Sequence, residues 1–385
     1  MIVSINGRDG VGKSTHIRLL SGFNNGEIHA TKSLNLYSKK WPVLSGKDFS
    51  RWWFETVSME ELIDLIIESL NKRGTEKTDS EITLFDRGTN MFKSVCVATW
   101  MTRYDLALLD AVHRVDKLFS VAIEKTEQEY EILLVHDKIY EGSIQKYRRT
   151  LVSAEQTYTS EQNKRYIHYQ RNLVVAMDHY FAEKVTARIV VNDYVIEIQN
   201  RIRSILNEQF NIKLPILAQN LKLLVGYGGL SESGKSSCAD WFRCSTGSYR
   251  LKVRYFIETL EGFGKQATAD VVAMEILRFI QCHYYVNVFS VESLHRPELV
   301  AFLKLLLGNK FQVVYVRVPR KMRIRRARKE LGISVSMATK MVTKKDSIKC
   351  FRGATRVKQI ADIVLDNSVG SIAKNCQVLR EHFGL

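Results

Sequence analysis

Several things are missing from this 385-residue chain, and each absence narrows the reading. No apolar run is long enough to cross a membrane, so no membrane partner is expected. The first residues, Met1-Ile2-Val3-Ser4-Ile5, read as a buried strand and not as a secretory signal, and a cytoplasmic location is expected. The six cysteines (96, 238, 244, 282, 350 and 376) form no C-x-x-C pair and no zinc spacing, and read as reduced core thiols. Acidic residues are scarce in one half only. Residues 1–210 carry 28 Lys+Arg against 28 Asp+Glu, whereas residues 211–385 carry 29 against 13, which is the whole net charge of +16. A large negative partner of the second half would account for that asymmetry, and a solvated basic surface is the plainer alternative.

What is present begins with two short loops. GRDGVGKST (7–15) and GLSESGKSS (229–237) both fit G-x-x-x-x-G-K-[ST]. In such a loop the glycines Gly7, Gly10 and Gly12, or Gly229 and Gly234, let the backbone wrap a phosphate chain. Inward N–H groups and a helix N-terminus supply the positive end. Lys13 and Lys235 would reach the β- and γ-phosphates of ATP. Ser14 and Ser236 would bind magnesium, with Thr15 and Ser237 beside them. The pattern needs a strand before and a helix after. Met1–Ile5 and Leu221–Gly228 supply the strands, and His16–Leu20 and Ser237–Phe242 can wind as helices. Length and 45% hydrophobic content fit two domains with real cores. The predicted architecture is α/β, two tandem P-loop domains, each a parallel sheet flanked by helices, with a boundary at 212/213.

In the first half, Ser33-Leu34-Asn35-Leu36-Tyr37 reads as the second strand and Met59–Leu70 as a helix, apolar at 62, 63, 66, 67 and 70. Glu81–Phe85 reads as a strand ending in Asp86-Arg87-Gly88. Ligands of parallel α/β sheets sit at the carboxyl ends of strands, so Asp86 can meet magnesium or a hydroxyl and Arg87 a phosphate. Phe49, Trp52, Trp53 and Phe54 form an aromatic run that either packs or offers a platform for a base.

Gly7–Thr15 and Phe85-Asp86-Arg87 resemble the loop and the D-R motif of thymidylate kinases. Leu133-Leu134-Val135 is similar to their next core strand. Tyr147-Arg148-Arg149 falls where their lid lies, Tyr169-Gln170-Arg171 with Tyr180-Phe181 resembles the helix after it, and Arg188–Asp193 the final strand. The resemblance implies that Asp9 contacts the acceptor's sugar, that Arg87 holds its phosphate, and that Arg148 and Arg149 neutralise the transferring group. The family's R-E-P-G segment is replaced by Ser38-Lys39-Lys40-Trp41-Pro42, which alters the acceptor side.

In the second half, Tyr285–Val291 reads as a strand ending in Glu292, His295–Glu298 opens a helix through Leu306, and Phe311–Val318 is another strand. Residues 317–329 hold eight basic residues in thirteen and read as a helix. Asp346 follows, then Ala361-Asp362-Ile363-Val364-Leu365-Asp366-Asn367. This half resembles deoxynucleoside monophosphate kinases and dephospho-coenzyme A kinases, which implies an acid at Glu292 and a lid with Arg323 and Arg326. Their acid-glycine pair is Glu292-Ser293 here. The basic helix is either an ordinary lid or a surface for a polyanion such as DNA.

Three functions follow. One is an ATP- and magnesium-dependent kinase of 5-hydroxymethyluracil within DNA, as in a phage branch of the thymidylate kinase family, which would work in the host cytoplasm. DNA would bind through residues 317–329. The second is a soluble kinase of thymidylate or another deoxynucleoside monophosphate. The third is a non-catalytic P-loop protein that binds nucleic acid under ATP control. A monomer or a homodimer is compatible with each. The charge asymmetry and the altered R-E-P-G region favour the first.

Overall fold

The computed structural model of the chain describes residues 1–76, 78–122, 129–136, 160–182, 186–368 and 372–384. Two compact units are present, and the main divide along the chain falls at Pro215/Ile216, with Tyr194–Ile196 grouped with the second.

The first unit is built on β1 (Ile2–Asn6), β2 (Ile28–Ala30), β3 (Ile82–Asp86), β4 (Glu129–His136) and β5 (Ala187–Val191), all parallel, in the order β2-β3-β1-β4-β5. A parallel sheet is covered on both faces, and its strands are accordingly apolar on both sides. Val3, Ile5, Ile132 and Leu134 join one core with the helices Lys13–Gly22 and Val195–Phe210. Leu133 faces the other way, into a core made with the helices Met59–Gly74, Thr89–Tyr104, Leu108–Ala122 and Ser160–Phe181.

The helix Met59–Gly74 shows why these residues wind as they do. The Ser58 hydroxyl accepts from the Glu61 amide while the Glu61 carboxylate accepts from the Ser58 amide, a closed capping box. Leu62, Ile63, Ile66, Ile67 and Leu70 form the buried stripe. Each contributes about 1.5–3 kcal/mol of burial. The last turn brings Arg73 back under the sheet edge, where it matters for the site.

The expected strand at Ser33–Tyr37 is not a strand. The sheet takes Ile28–Ala30, which pairs with β3 from Ile28↔Ile82 to Ala30↔Leu84. Leu34–Leu36 forms a 3₁₀ turn closed by Leu36 N–H to Ser33 O (2.9 Å) and Tyr37 N–H to Leu34 O (3.1 Å). Leu34 is buried while Leu36 is exposed, so the two alternating leucines belong to a turn anchored on one side instead of a sheet face.

The second unit repeats the layout. β6 (Leu223–Gly228), β7 (Tyr249–Lys252), β8 (Val288–Leu294), β9 (Phe311–Arg317) and β10 (Ile363–Asp366) are all parallel, in the order β10-β9-β6-β8-β7. Numbered within each unit and read from the opposite edge, this is the same 2-3-1-4-5 order as in the first. The helix Pro297–Leu307 begins with proline at its first turn, where the missing N–H costs nothing. Its buried Lys304 pairs with Asp362, whose carboxylate also accepts from the Val313 amide (2.6 Å).

Candidate functional site

Each unit places its glycine loop between its first strand and the following helix. Gly7, Gly10 and Gly12 have φ of 139°, 80° and 96°, and Gly229 and Gly234 have 135° and 89°, a region that L side chains disfavour. The leading glycine is fixed by close approach in both loops. A Cβ on Gly7 would lie 2.5 Å from Leu134 O, and one on Gly229 would lie 2.5 Å from Val316 O. Both loops thus press against the neighbouring strand, β4 or β9. Gly12 and Gly234 are the N-cap residues of the helices Lys13–Gly22 and Lys235–Thr246, so each loop ends at a helix N-terminus that no cap side chain covers.

The lysines fold back over their own loops. Lys13 Nζ donates to Gly7 O (2.8 Å) and Arg8 O (2.9 Å), and Lys235 Nζ donates to Leu230 O (2.6 Å) and Ser233 Oγ (3.3 Å). Burial pulls Lys13 down to about 8, helped by Arg87 and opposed by Asp9 and Asp86. Burial also pulls Lys235 down to about 7, helped by Lys349 and opposed by Glu292, Glu232 and Asp346.

At the end of β3, Asp86 is opposite Ile5 of β1, next to the loop. Arg87 follows at φ 65°, a left-handed conformation that costs an L residue roughly 1–3 kcal/mol. The surroundings hold it there. Its amide bonds Ile5 O (3.2 Å), the Gly88 amide bonds Asn6 Oδ1 (2.8 Å), and buried Arg73 donates to Asp86 O (3.3 Å) and Arg87 O (3.0 Å) while its guanidinium lies 3.9 Å over the Phe85 ring. The strained turn aims Arg87 at the loop. Its Nη2 meets Asp9 Oδ1 at 2.9 Å and its Nη1 lies 3.7 Å from Asp86 Oδ1. Asp9 Oδ2 accepts from Tyr166 Oη (3.1 Å) and Gln170 Nε2 (3.0 Å). Burial alone would raise Asp9, but Arg87 and then Lys13 hold it below the usual carboxylate range. Lys13, Asp9, Asp86 and Arg87, predicted separately from two motifs, therefore form one cluster. Ser14 is exposed beside it.

The second loop has a different ring of charges. Ser236 Oγ donates to Glu292 Oε2 (2.7 Å), so the expected hydroxyl and strand-end acid do meet. Arg250 bonds both Glu292 and Asp240. Arg323 and Arg326 reach the loop from behind. Arg323 Nη1 bonds Ser231 O (3.1 Å) and Asp346 Oδ2 (2.6 Å), and Asp346 Oδ1 accepts from the Ser231 amide (3.1 Å). Arg326 bonds Ser233 O (3.3 Å) and Asn367 O (2.6 Å), and Asn367 Nδ2 bonds Ser233 O (2.9 Å). These two arginines are committed to carbonyls and a carboxylate of their own unit. Of the eight basic residues at 317–329, Arg317, Arg320, Lys321, Arg325, Arg328 and Lys329 are exposed.

Arg148 and Arg149 lie outside the described residues. The aromatic run packs more than it stands free. Trp41 Nε1 donates to Ser69 Oγ (2.9 Å), Trp53 Nε1 donates to Thr99 Oγ1 (3.1 Å), and Trp41, Trp52, Trp53 and Phe54 lean half-buried on the core. Phe54 meets Tyr169 edge-on at 5.4 Å, and Glu55 pairs with Arg165. The run thereby braces the helix that carries Tyr166 and Gln170 to Asp9.

Sequence reading gave no site role to Arg73, Tyr166 and Gln170 in the first unit or to Arg250, His295 and Lys349 in the second. Tyr166 and Gln170 had a signal, since an i, i+4 pair shares one helix face. Arg73 had none: a basic residue in the last turn of a helix ordinarily serves the macrodipole from outside.

No protein-family model matches the chain, and no curated protein matches it. Among solved structures, the thymidylate kinase of Candida albicans is similar at 12% identity and a TM-score of 0.36, over 56% of this chain and 94% of that one. Shikimate kinase of Bacteroides thetaiotaomicron is similar at 15% identity and 0.27, over 42% and 99%. TT1252 of Thermus thermophilus is similar at 17% identity and 0.28, over 42% and 96%. At these scores none of them carries an argument about function.

Proposed function

We propose that the chain is an ATP-dependent phosphotransferase of the P-loop kinase type, with transfer at the first loop. The observation that supports this reading is the Lys13–Asp9–Arg87–Asp86 cluster. It sets two cations and two carboxylates at the mouth of a phosphate cradle, around a left-handed residue whose backbone is held by Ile5 O and by Arg73. Phosphoryl transfer asks for positioning and charge stabilisation more than for covalent chemistry.

The loop amides and Lys13 would hold the β- and γ-phosphates, and Ser14 would hold magnesium. The donor set fits that ion, because Asp86 Oδ1, close to the loop, is buried without a hydrogen bond among the described residues. Magnesium would supply charge neutralisation between the phosphates. An acceptor oxygen attacks the γ-phosphorus as its bond to the bridging oxygen breaks. ADP leaves with that electron pair, and the acceptor's proton passes to water. Arg87 compensates charge on the acceptor side, and Asp9, fixed by Tyr166 and Gln170, keeps Arg87 aimed.

The acceptor we favour is the hydroxymethyl group of 5-hydroxymethyluracil in DNA. The +16 confined to residues 211–385 and the six exposed basic residues at 317–329 support a polyanionic substrate. A base inside a duplex would have to be flipped out to reach the cluster. A free deoxynucleoside monophosphate is the second reading, favoured by Arg87, a guanidinium suited to a 5′-phosphate. The test uses ATP labelled in the γ-phosphate, with magnesium, offered to thymidylate, the other deoxynucleoside monophosphates, and duplex DNA with and without 5-hydroxymethyluracil. Label on the modified DNA alone is expected. Label on a free monophosphate alone would replace the first acceptor by the second, and label on no acceptor would sink both.

A further inference from the structure

Beside the second loop lies Lys349, which has no direct ion-pair partner among the described residues, although Asp346 and Glu232 act on it at longer range. The helix Val335–Phe351 is bound onto the loop along one face: Lys345 pairs with Glu232 (3.3 Å), and Asp346 joins Ser231 and Arg323. Lys349, one turn further on, shares that face. Its amine makes no hydrogen bond and no ion pair among the described residues, yet its charge is felt at Lys235 and at His295. His295 follows β8 and is 8% exposed, with Nδ1 buried and without a hydrogen-bond partner among the described residues. Arg352, exposed and just past the helix, also acts on His295.

The nearby carboxylates are already engaged. Glu292 holds Ser236 and Arg250, Asp346 holds Arg323, and Glu232 holds Lys345. Burial and then Lys349 pull Lys235 down, and burial with Lys349, Lys235 and Arg352 pulls His295 down to about 3, which keeps its ring neutral; an anion among these groups would relieve that repulsion. The first unit solves the same problem differently. Ser293 stands where Arg87 stands, directly after the acid that pairs with the strand before the loop and left-handed in the same way (φ 68° against 65°), at an irregularity of β8 that runs on to Leu294. Ser231 stands where Asp9 stands in the loop. The second unit thus lacks that guanidinium and its loop carboxylate, and carries cations from the helix Val335–Phe351 at its loop instead.

We propose that Lys349, His295 and Arg352, together with Lys235, form a phosphate-binding subsite of the second unit. The ligand is a phosphoryl group at the mouth of the second cradle. It belongs either to the terminal phosphate of a nucleoside triphosphate held in that cradle or to a phosphate monoester on a separate substrate. The proposal stands apart from transfer at the first loop, because its test silences that loop.

The test uses the full chain carrying Lys13→Ala and titrates it calorimetrically with MgATP, with MgADP, and with inorganic phosphate in the presence of saturating MgADP. Lys349→Met is compared with Lys349→Arg and His295→Asn, all checked for unchanged thermal melting. A charge-assisted contact to phosphate predicts a loss of about tenfold or more for Lys349→Met, a smaller loss for His295→Asn, and substantial recovery in Lys349→Arg. A loss for MgATP with MgADP unchanged assigns the subsite to the terminal phosphate. A loss for inorganic phosphate with both nucleotides unchanged assigns it to a second substrate. If all three ligands bind Lys349→Met and His295→Asn as tightly as the parent, or if the parent binds none of them, the proposal is wrong.

Discussion

The two units share a strand order, a glycine loop, a leading glycine pinned by the adjacent strand, and a lysine folded over loop carbonyls. They part at the positions around the loop. The first unit keeps an acid in the loop and an arginine after the strand, paired and half open to solvent. The second has serines at both places and ties its loop from behind through Arg323–Asp346 and Arg326–Asn367. The cradle is therefore a backbone device, which a sheet and a few glycines suffice to build. What the cradle does is decided by the charges brought to it from other elements.

That contrast can be broken at Arg87 first. Arg87→Ala is expected to lower kcat/KM about 10²–10³-fold, chiefly through the acceptor, with the KM for ATP changed by less than about threefold. Ser293→Ala, its counterpart, should leave transfer at the first loop unaltered. Steady-state kinetics with both substrates varied decide it, and equal effects of the two substitutions would erase the distinction.

A second difference is structural. Arg323→Ala leaves the Asp346 carboxylate half-buried without its cation, and should destabilise the second unit by about 3–5 kcal/mol. Arg325→Ala, on the exposed face of the same helix, should stay within about 0.5 kcal/mol. Denaturant unfolding of both variants measures this, and equal midpoints would return Arg323 to a free lid position.

The lysines should also titrate apart. Both carry folded values below that of a free lysine, so each is charged at low pH and loses its charge, and its hold on phosphate, as pH rises through that value. In Lys13→Ala, MgATP affinity should begin to fall near pH 7, the Lys235 value. In Lys235→Ala it should begin to fall near pH 8, the Lys13 value. Each fall is at most about tenfold per pH unit. Coincident profiles would mean that the neighbours of the two lysines are electrostatically alike. The smallest effect concerns DNA. Replacing Arg325, Arg328 and Lys329 by alanine should flatten the salt dependence of duplex binding by about one unit of slope for each phosphate those side chains neutralise. A slope that does not change would make that face a solvated one.

The sequence carried the cradles because they are local: glycines at fixed spacing, between a strand and a helix, need no distant partner to be recognised. The buried strands were readable for a related reason, since a strand covered on both faces is a near-continuous apolar run, as in Leu223-Leu224-Val225. What stayed hidden depends on which face a neighbour covers. The helix Arg320–Leu331 is mostly basic, and its apolar face is no more than Ile324 and Ala327, which left Arg323 and Arg326 unmarked as inward. The segment Ser33–Tyr37 looked extended because alternation over five residues also fits a turn anchored by one leucine. Arg73 reaches the strand end through tertiary packing alone.

Transfer at the first loop, with no substitute in the second, is what the contrast between the units comes down to. Single-turnover transfer of γ-labelled phosphate from MgATP to the preferred acceptor, followed in Lys13→Ala and Lys235→Ala side by side, decides it. Transfer abolished in Lys13→Ala and largely kept in Lys235→Ala is the predicted result. Transfer that survives Lys13→Ala and disappears in Lys235→Ala would contradict it and move the chemistry to the second unit.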